Sequence, residues 1–189
     1  LLHVIAQSSF AQTDAGNRDS ILHEYIENYK DLLIFKVSLG SKEDGFDLKN
    51  TSRYKIRSNN KTKLNAGINY RWLAFSLTFA PNLFNENVDN NIKGETKSFG
   101  FGFSSNFHHI IQKINNSRVK GYYLDNTNAF DPTWKAGDPY IHLPGLIFRS
   151  FSGQTAYKFN DNFSFNAINS QTERQVKSAG TFLPSVSYQ

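Results

Sequence analysis

Phe99, Phe101 and Phe103 alternate with glycine and serine in the stretch Ser98-Phe99-Gly100-Phe101-Gly102-Phe103-Ser104. Successive side chains of a β-strand point to opposite faces of the sheet, so this stretch predicts a strand with one aromatic face and one small, polar face. The same period of two recurs from Leu32 onward and predicts about eight strands. We therefore expect an all-β fold.

The predicted strands cover residues 32–40, 46–59, 63–79, 98–104, 110–124, 146–159, 163–172 and 181–189. In 63–79 the pattern changes parity between Trp72 and Leu73, which indicates either a tight turn or a β-bulge in one long strand. Outer-membrane barrels have short turns on the periplasmic side and long loops outside. We predict the bulge, because it puts the connections 58–62, 106–109 and 160–162 in the periplasm and 80–95, 125–144 and 173–180 outside.

The apolar faces of these strands point either to the core of a soluble barrel or to the lipid around a membrane barrel. No apolar run approaches the roughly 18 residues that a membrane-spanning helix needs. The apolar faces are rich in Phe, the opposite faces carry Gly, Ser, Asn, Lys and Arg, and aromatic residues collect near strand ends as in interfacial girdles. The girdle candidates are Tyr54, Tyr70, Trp72, Phe79, Tyr122, Tyr123, Phe159 and Phe163. The pattern favours an antiparallel up-and-down transmembrane β-barrel.

Three regions follow from the pattern. Residues 1–11 are typical of a signal-peptide remnant, since an apolar start precedes the small–x–small sequence Ser9-Phe10-Ala11, and the chain contains no Met. Residues 12–31 predict a linker and a short helix over 19–31, with Ile21, Tyr25, Ile26 and Tyr29 at helical spacing. Residues 32–189 form the predicted barrel, which stops without a closing pattern and is therefore expected to be truncated at the C-terminus.

The chain carries a net charge of +5, but its basic residues form no run that would indicate nucleic-acid binding. Cysteine is absent, which excludes a disulfide framework. The polar faces of the early strands carry a predicted lumen basic cluster, which comprises Lys36, Lys49, Arg53, Lys55, Arg57, Lys63 and Arg71. In an open lumen this cluster favours anionic solutes; in a small barrel it forms an interior network with carboxylates such as Asp47 and Glu173. We favour the network, because small barrels fill their own interior.

Candidates for chemistry are few. His108 and His109 are adjacent, so on a strand their rings point to opposite faces, and we place the pair at a periplasmic turn. Ser104, Ser105 and His109 lie close in sequence and, with a distant carboxylate, could form on one rim the triad of a hydrolase or acyltransferase, but no nucleophile-elbow motif accompanies them. We predict a protein that is not an enzyme, with no catalytic residue, no metal and no cofactor.

The segment 125–144 carries Asp131, Trp134, Asp138 and Tyr140. These residues either stack on sugar rings or dock their aromatic rings on the barrel rim, and we favour docking.

The sequence Gln171-Thr172-Glu173-Arg174-Gln175-Val176-Lys177-Ser178-Ala179-Gly180 resembles the signature of a Bacteroidetes family, domain of unknown function 4421. Supporting matches are the segments 25–29, 94–97, 120–124 and 157–164. The resemblance implies an outer-membrane barrel with a signal peptide, and it carries over no catalytic residue. Within the signature, Gln171, Glu173, Arg174, Gln175, Lys177, Ser178 and Gly180 form a predicted family signature loop, which either binds a ligand or partner outside or folds inward through charge-assisted hydrogen bonds.

The function expected from these patterns is that of a barrel in the bacterial cell outer membrane, surrounded by outer-membrane lipid. Its role is structural, partner-binding or porin-like passage of small solutes, with a protein partner or an anionic solute as possible ligand. Two other classes stay open: an outer-membrane lipid-modifying enzyme, either a hydrolase or an acyltransferase, and a soluble ligand-binding β-barrel, in which Phe99, Phe101 and Phe103 would point inward.

Overall fold

The computed structural model describes residues 25–29, 32–41, 43–81 and 89–189. These ranges form antiparallel β-sheets and two short helices, α1 (Asn90–Lys93) and α2 (Phe165–Asn169). The main sheet contains, in spatial order, β2 (Leu33–Ser41), β5 (Thr62–Tyr70), β6 (Leu73–Phe79), β7 (Lys97–Phe107), β8 (Ile110–Leu124), β9 (Ile141–Tyr157) and β11 (Ser185–Tyr188). Strands β2 and β11 are its edges, so the described residues form an open sheet without closing into a barrel. The all-β, antiparallel prediction is confirmed.

Two smaller pairs of strands flank the main sheet. Strands β3 (Gly45–Lys49) and β4 (Arg53–Arg57) form a hairpin, which joins the end of β8 through Ile56 opposite Leu124. Strand β1 (Ile26–Asn28) pairs with β10 (Glu173–Gln175). The predicted helix was therefore wrong over 26–28, because the strand partner lies far along the chain and local spacing does not reveal it. The rest of that helix except Tyr25 and Tyr29, the linker and the signal-peptide remnant lie outside the described residues.

The parity change at Trp72 is a tight turn, so the predicted bulge was wrong. Strands β5 and β6 pair in register from Tyr70 opposite Leu73 onward, and Arg71 adopts a left-handed φ of 53°. Two-residue hairpin turns need such a conformation, because it matches the twist of the flanking strands. The turn His108-His109 between β7 and β8 has the same form, with φ of 53° at His108. We call the end of the sheet that carries both turns the turn end.

The other connections sort by end of the sheet. The strand ends that border 42–61, 80–96 and 125–140 lie at the opposite end of the sheet, which we call the loop end, and those that border 158–184 lie at the turn end. The predictions that 58–62 lies at the same end as 106–109, and 173–180 at the same end as 80–95, were therefore wrong. The strand ends that border the later connections 80–95 and 125–144 still lie at one end and those that border 106–109 and 160–162 at the other, as predicted. Two wrong predictions compensate here: 63–79 is two strands and not one, and 46–59 is a hairpin that leaves and returns at the loop end.

Two further differences from the predicted strands have local causes. The predicted strand 163–172 was wrong, since half of it is helix α2, which begins where the Ser164 hydroxyl accepts a hydrogen bond from the Ala167 amide at 2.9 Å. A real irregularity lies in β8, where the register shifts between Lys120 and Tyr122. Gly121 has φ of 87° there, and a Cβ at this position would collide with the Glu95 carbonyl.

The two faces of the main sheet differ in what lies over them. The apolar face carries the Phe, Leu and Val side chains, and no part of the chain that the structure describes covers it: Phe99 is 54% exposed and Phe101 is 40% exposed. The polar face carries Lys36, Asn65, Asn69, Ser104, Lys113 and Asn115 and is covered by α2 at the turn end. At the loop end the β3–β4 hairpin covers it with a small apolar core of Ile56, Val119, Tyr122 and Leu124. No helix among the described residues is long and apolar enough to span a membrane.

Candidate functional site: a polar cap at the turn end

A polar cap covers the turn end of the polar face; it comprises residues 164–175, paired with β1. Its centre is the Glu173 carboxylate, whose Oε2 accepts a hydrogen bond from the Ser164 hydroxyl at 2.6 Å and whose Oε1 accepts one from the Asn166 amide at 3.1 Å. Ser164 and Asn166 are both buried. Hydrogen bonds to a charged acceptor are the strong ones, so this carboxylate holds α2 against β10.

The carboxamide of Gln175 ties the cap to the chain on both sides. Its Oε1 accepts from the Ser164 backbone amide at 2.8 Å, and its Nε2 donates to the carbonyls of Asn162, Lys177 and Tyr25 at 2.7, 2.8 and 3.2 Å. One side chain thus fixes the segments before α2, after β10 and before β1. This explains why a glutamine, with both a donor and an acceptor, occupies the position.

The cap is anchored on the main sheet by three hydrogen bonds between distant parts of the chain. Lys36 Nζ donates to the Asn169 carbonyl at 2.7 Å, Asn69 Nδ2 donates to the Ser170 carbonyl at 2.9 Å, and Thr172 Oγ1 donates to the Arg71 carbonyl at 2.8 Å. Asn69, Ser170 and Thr172 are buried. A buried polar group that loses its partner costs about 1–3 kcal/mol, so the cap is held firmly.

The remaining residues of the predicted signature loop lie around this network. Gln171 has φ of 60°, and its buried Oε1 has no hydrogen-bond partner among the described residues. Arg174 forms an exposed ion pair with Glu27 at 3.6 Å, and the Lys177 ammonium lies 5.6 Å from the centre of the Tyr25 ring. The Gly180 carbonyl accepts from Asn160 at 2.7 Å, and Ser178 is exposed. The inward-facing groups are thus Gln171, Glu173 and Gln175.

Two cavities adjoin the cap. The larger, of about 980 Å³, opens at the turn end and is lined by Arg71, Trp72, His108, Asp161, Asn166 and Glu173, among others. The smaller, of about 220 Å³, lies between the cap residue Asn169 and the polar face, where Lys36 and Lys113 reach it. Residues of the cap thus line both cavities.

The predicted lumen basic cluster is not one cluster. Lys36 lies on the polar face and bonds the cap, Lys63 pairs with Asp44 near the loop end, and Arg71 lies in the turn with its guanidinium 5.1 Å from the Tyr70 ring centre. The other members, Lys49, Arg53, Lys55 and Arg57, lie on the β3–β4 hairpin. Sequence alternation predicted one strand over 46–59, which was wrong because the chain turns back between β3 and β4.

The expected partnership with carboxylates holds for Asp47. Arg53 and Arg57 contact its two oxygens at 2.7 and 2.8 Å. Hydrogen bonds from Arg53 and then Arg57 hold the pKa of the Asp47 carboxyl below its usual value. Glu173, by contrast, bonds the neutral groups of the cap rather than this cluster.

The residues considered for chemistry lie in β7 and in the turn that follows it. Ser104 and Ser105 are consecutive in β7 and so point to opposite faces of the sheet. His109 Nδ1 lies 2.9 Å from the Lys158 carbonyl and 3.4 Å from Asp161, at the turn where the histidine pair was expected. Among the described residues no group of three or more His, Asp or Glu side chains is arranged to hold a metal ion.

The aromatic residues of the loop 125–140 pack on one another. Trp134 lies with its ring centre 5.0 Å from that of Tyr140, which in turn lies 5.0 Å from that of Tyr123 at the end of β8. The Trp134 indole donates to the Pro139 carbonyl at 3.0 Å. A hydrogen bond from Thr133 lowers the pKa of Asp131 in the same loop. The loop's rings thus pack against the end of β8; docking on a barrel rim stays a prediction.

Several residues of the cap and of its anchor on the main sheet were missed by sequence reasoning. Asn69, Ser164, Asn166, Ser170 and Thr172 are buried polar residues that join segments far apart in the chain. Their only signal in the sequence is polarity, which is equally typical of exposed loops.

Fold and site together define an antiparallel β-sheet protein in which the chain itself covers the polar face and leaves the apolar face bare. The chain belongs to the family described as domain of unknown function (DUF4421), whose model matches residues 17–189. The family resemblance is thereby confirmed. No curated protein and no solved structure matches the chain.

Proposed function

We propose that this chain forms wall strands of a transmembrane β-barrel in the bacterial outer membrane and that the polar cap closes the turn end of the lumen. The main support for this proposal is that the polar face of the sheet is covered and the apolar face is exposed. In a soluble protein the bare face of a sheet is the polar one; here α2 and the hairpin cover the polar face, and the phenylalanines stay exposed. A membrane barrel needs this arrangement, with lipid as the cover of the apolar face.

The height of the apolar face supports the proposal. On β7 the outward row runs from Phe107 at the turn end to Phe99 near the loop end, a span of eight residues. At about 3.4 Å per residue and a tilt of about 40°, this row measures about 21 Å across the membrane. That is close to the apolar band of about 25 Å that surrounds outer-membrane barrels. Trp72, Tyr157 and Phe159 cluster at its turn-end border, as interfacial girdles do.

The orientation follows from the lengths of the connections. The turn end has two-residue turns besides the 27-residue segment 158–184 that contains the cap, whereas the strands at the loop end are joined only by connections of 16 or more residues, 42–61, 80–96 and 125–140. Short turns lie on the periplasmic side of outer-membrane barrels, so the cap faces the periplasm. With the cap anchored on Lys36, Asn69 and Arg71, the barrel is plugged, and a structural or partner-binding role is favoured over open passage of solutes.

The test of the membrane location is a single-cysteine series, which the chain permits because it contains no native cysteine. Spin labels at Phe99 and Phe101 are compared with labels at Gly100 and Ser104 in the protein folded into phosphatidylcholine vesicles. We expect the first two to be accessible to oxygen and shielded from a water-soluble nickel complex, and the other two to show the opposite. A series in which all four labels respond to the nickel complex would overturn the proposal, because it would place the phenylalanine face in water.

A further inference from the structure

Four basic residues lie on the apolar face at the loop-end border of its phenylalanine row. They are Arg118 and Lys120 in β8, Lys97 in β7 and Arg149 in β9. Strand pairing places all four on the face of Phe99 and Phe101, and all four are exposed. Because side chains of one parity share a face, these residues point to the same side as the exposed phenylalanines. We call them the cation cluster.

The pairing register sets the members of the cation cluster side by side. Arg118 lies directly opposite Arg149 across the β8–β9 ladder, and Lys97 lies directly opposite Lys120 across the β7–β8 ladder. Side chains directly opposite one another have Cβ atoms about 5 Å apart, and like charges in that position destabilise a sheet. Among the described residues only Glu95 forms an ion pair with the cluster, at 3.5 Å from Lys97.

A cleft adjoins the cation cluster. It has a volume of about 390 Å³, and Lys97, Lys120 and His142 line it together with Glu95, Tyr122 and Asn90. Phe99 lies directly opposite Arg118, so the apolar row begins where the cations end. A ligand that fits this surface has negative charge at the cleft and an apolar body along the phenylalanines.

We propose that the cation cluster binds the phosphate groups of an anionic membrane lipid, with its acyl chains lying on the phenylalanine row. This inference rests on the proposed membrane location. Arginine contacts phosphate with two parallel hydrogen bonds and lysine with a point charge, so phosphate relieves the repulsion within both cross-strand pairs. A lipid supplies phosphate and acyl chains at the one height where the chain places cations beside phenylalanines.

The test uses the full chain folded into phosphatidylcholine vesicles, with a fluorophore on a cysteine that replaces Asn116. Asn116 lies two residues from Arg118 on the same face and opposite Phe101. Quenching of the label by brominated phosphatidic acid, relative to brominated phosphatidylcholine, gives the relative binding constant of the anionic lipid. We expect phosphatidic acid to be preferred, and high salt to weaken the preference.

The variant Arg118→Gln/Arg149→Gln is expected to reduce the preference about thirtyfold, since each basic residue near an anionic surface contributes about fivefold to binding. The control variant Lys49→Gln/Lys135→Gln removes the same charge from exposed residues of the hairpin and of the loop 125–140 and is expected to leave the preference unchanged. In phosphatidylcholine alone the arginine variant should unfold no more easily than the parent chain, because it relieves a like-charge pair.

The two proposals fail differently in this experiment. If neither lipid quenches the label, the chain is not in the bilayer and the proposed function fails. If both lipids quench equally, or if the arginine variant keeps the parent preference, the chain is in the bilayer and the lipid site is refuted.

Discussion

The substitution Leu77→Arg distinguishes a lipid-facing surface from a water-facing one, because the two environments predict very different stabilities. Leu77 lies in β6 on the apolar face, opposite Phe101, and is 45% exposed. In water, a substitution at such an exposed position changes the free energy of unfolding by at most about 0.5 kcal/mol. In a bilayer, the guanidinium must be moved out of water into the apolar band.

The depth of Leu77 sets the expected size of the effect. Its neighbour Phe101 lies two residues from Phe99 at the loop-end border of the row and six residues from Phe107 at the turn-end border. At about 3.4 Å per residue and about 40° of tilt, Leu77 is about 5 Å below the loop-end border. Arginine costs about 2–4 kcal/mol at the midplane and about 0–1 kcal/mol at the interface, so we expect a loss of about 2 kcal/mol.

The assay is equilibrium unfolding of the protein in phosphatidylcholine vesicles by guanidinium chloride, followed through the fluorescence of Trp72 and Trp134. The matched control is Leu48→Arg on the β3–β4 hairpin, where the leucine is 52% exposed and lies beyond the loop-end border. The control should change the free energy of unfolding by less than about 0.5 kcal/mol. Equal losses for Leu77→Arg and Leu48→Arg would refute a lipid-facing sheet.

Three other changes test the cap, a strand irregularity and the hairpin. Glu173→Gln should loosen the polar cap by about 1–3 kcal/mol, because an NH2 donor replaces one of the two oxygens that accept from Ser164 and Asn166; hydrogen exchange of 164–175 measures this, and unchanged protection would contradict it. Gly121→Ala should destabilise the chain more than Gly137→Ala, since both have left-handed φ but only the first Cβ meets a backbone carbonyl; thermal unfolding compares them, and equal losses would argue against the bulge geometry. The hydrogen bond from Arg53 lowers the pKa of Asp47 in the folded chain. The ion pair therefore stabilises the hairpin fully above the pKa of an unfolded Asp, and this stabilisation is lost as the pH falls through the lower folded pKa. NMR titration of the Asp47 carboxyl measures the folded pKa, and a raised value would contradict the ion pair.

Alternation of side chains determined the all-β fold and most of the strands. Phe99, Phe101 and Phe103 lie on one face as expected, and the strand 110–124 has the predicted bounds. The turn His108-His109 was also placed correctly. These features are local, because a strand of period two and a short turn each depend on residues adjacent in sequence.

Pattern alone did not separate a turn from a bulge at Trp72, because both change the parity in the same way. The left-handed conformation of Arg71 and the pairing of Tyr70 with Leu73 decide for the turn. The segment 163–172 similarly has apolar residues at strand spacing, yet the Ser164 cap starts a helix there.

The sequence by itself determined which side chains share a face, which segments are strands and, through the signature 171–180, which family the chain belongs to. Only the tertiary structure decided what covers each face. The cap is built from contacts such as Lys36 with Asn169 and Asn69 with Ser170, and the cation cluster from the register of three strands. Contacts of this kind depend on how distant segments meet, and the energy of a buried hydrogen bond or a cross-strand charge pair exists only once they have met.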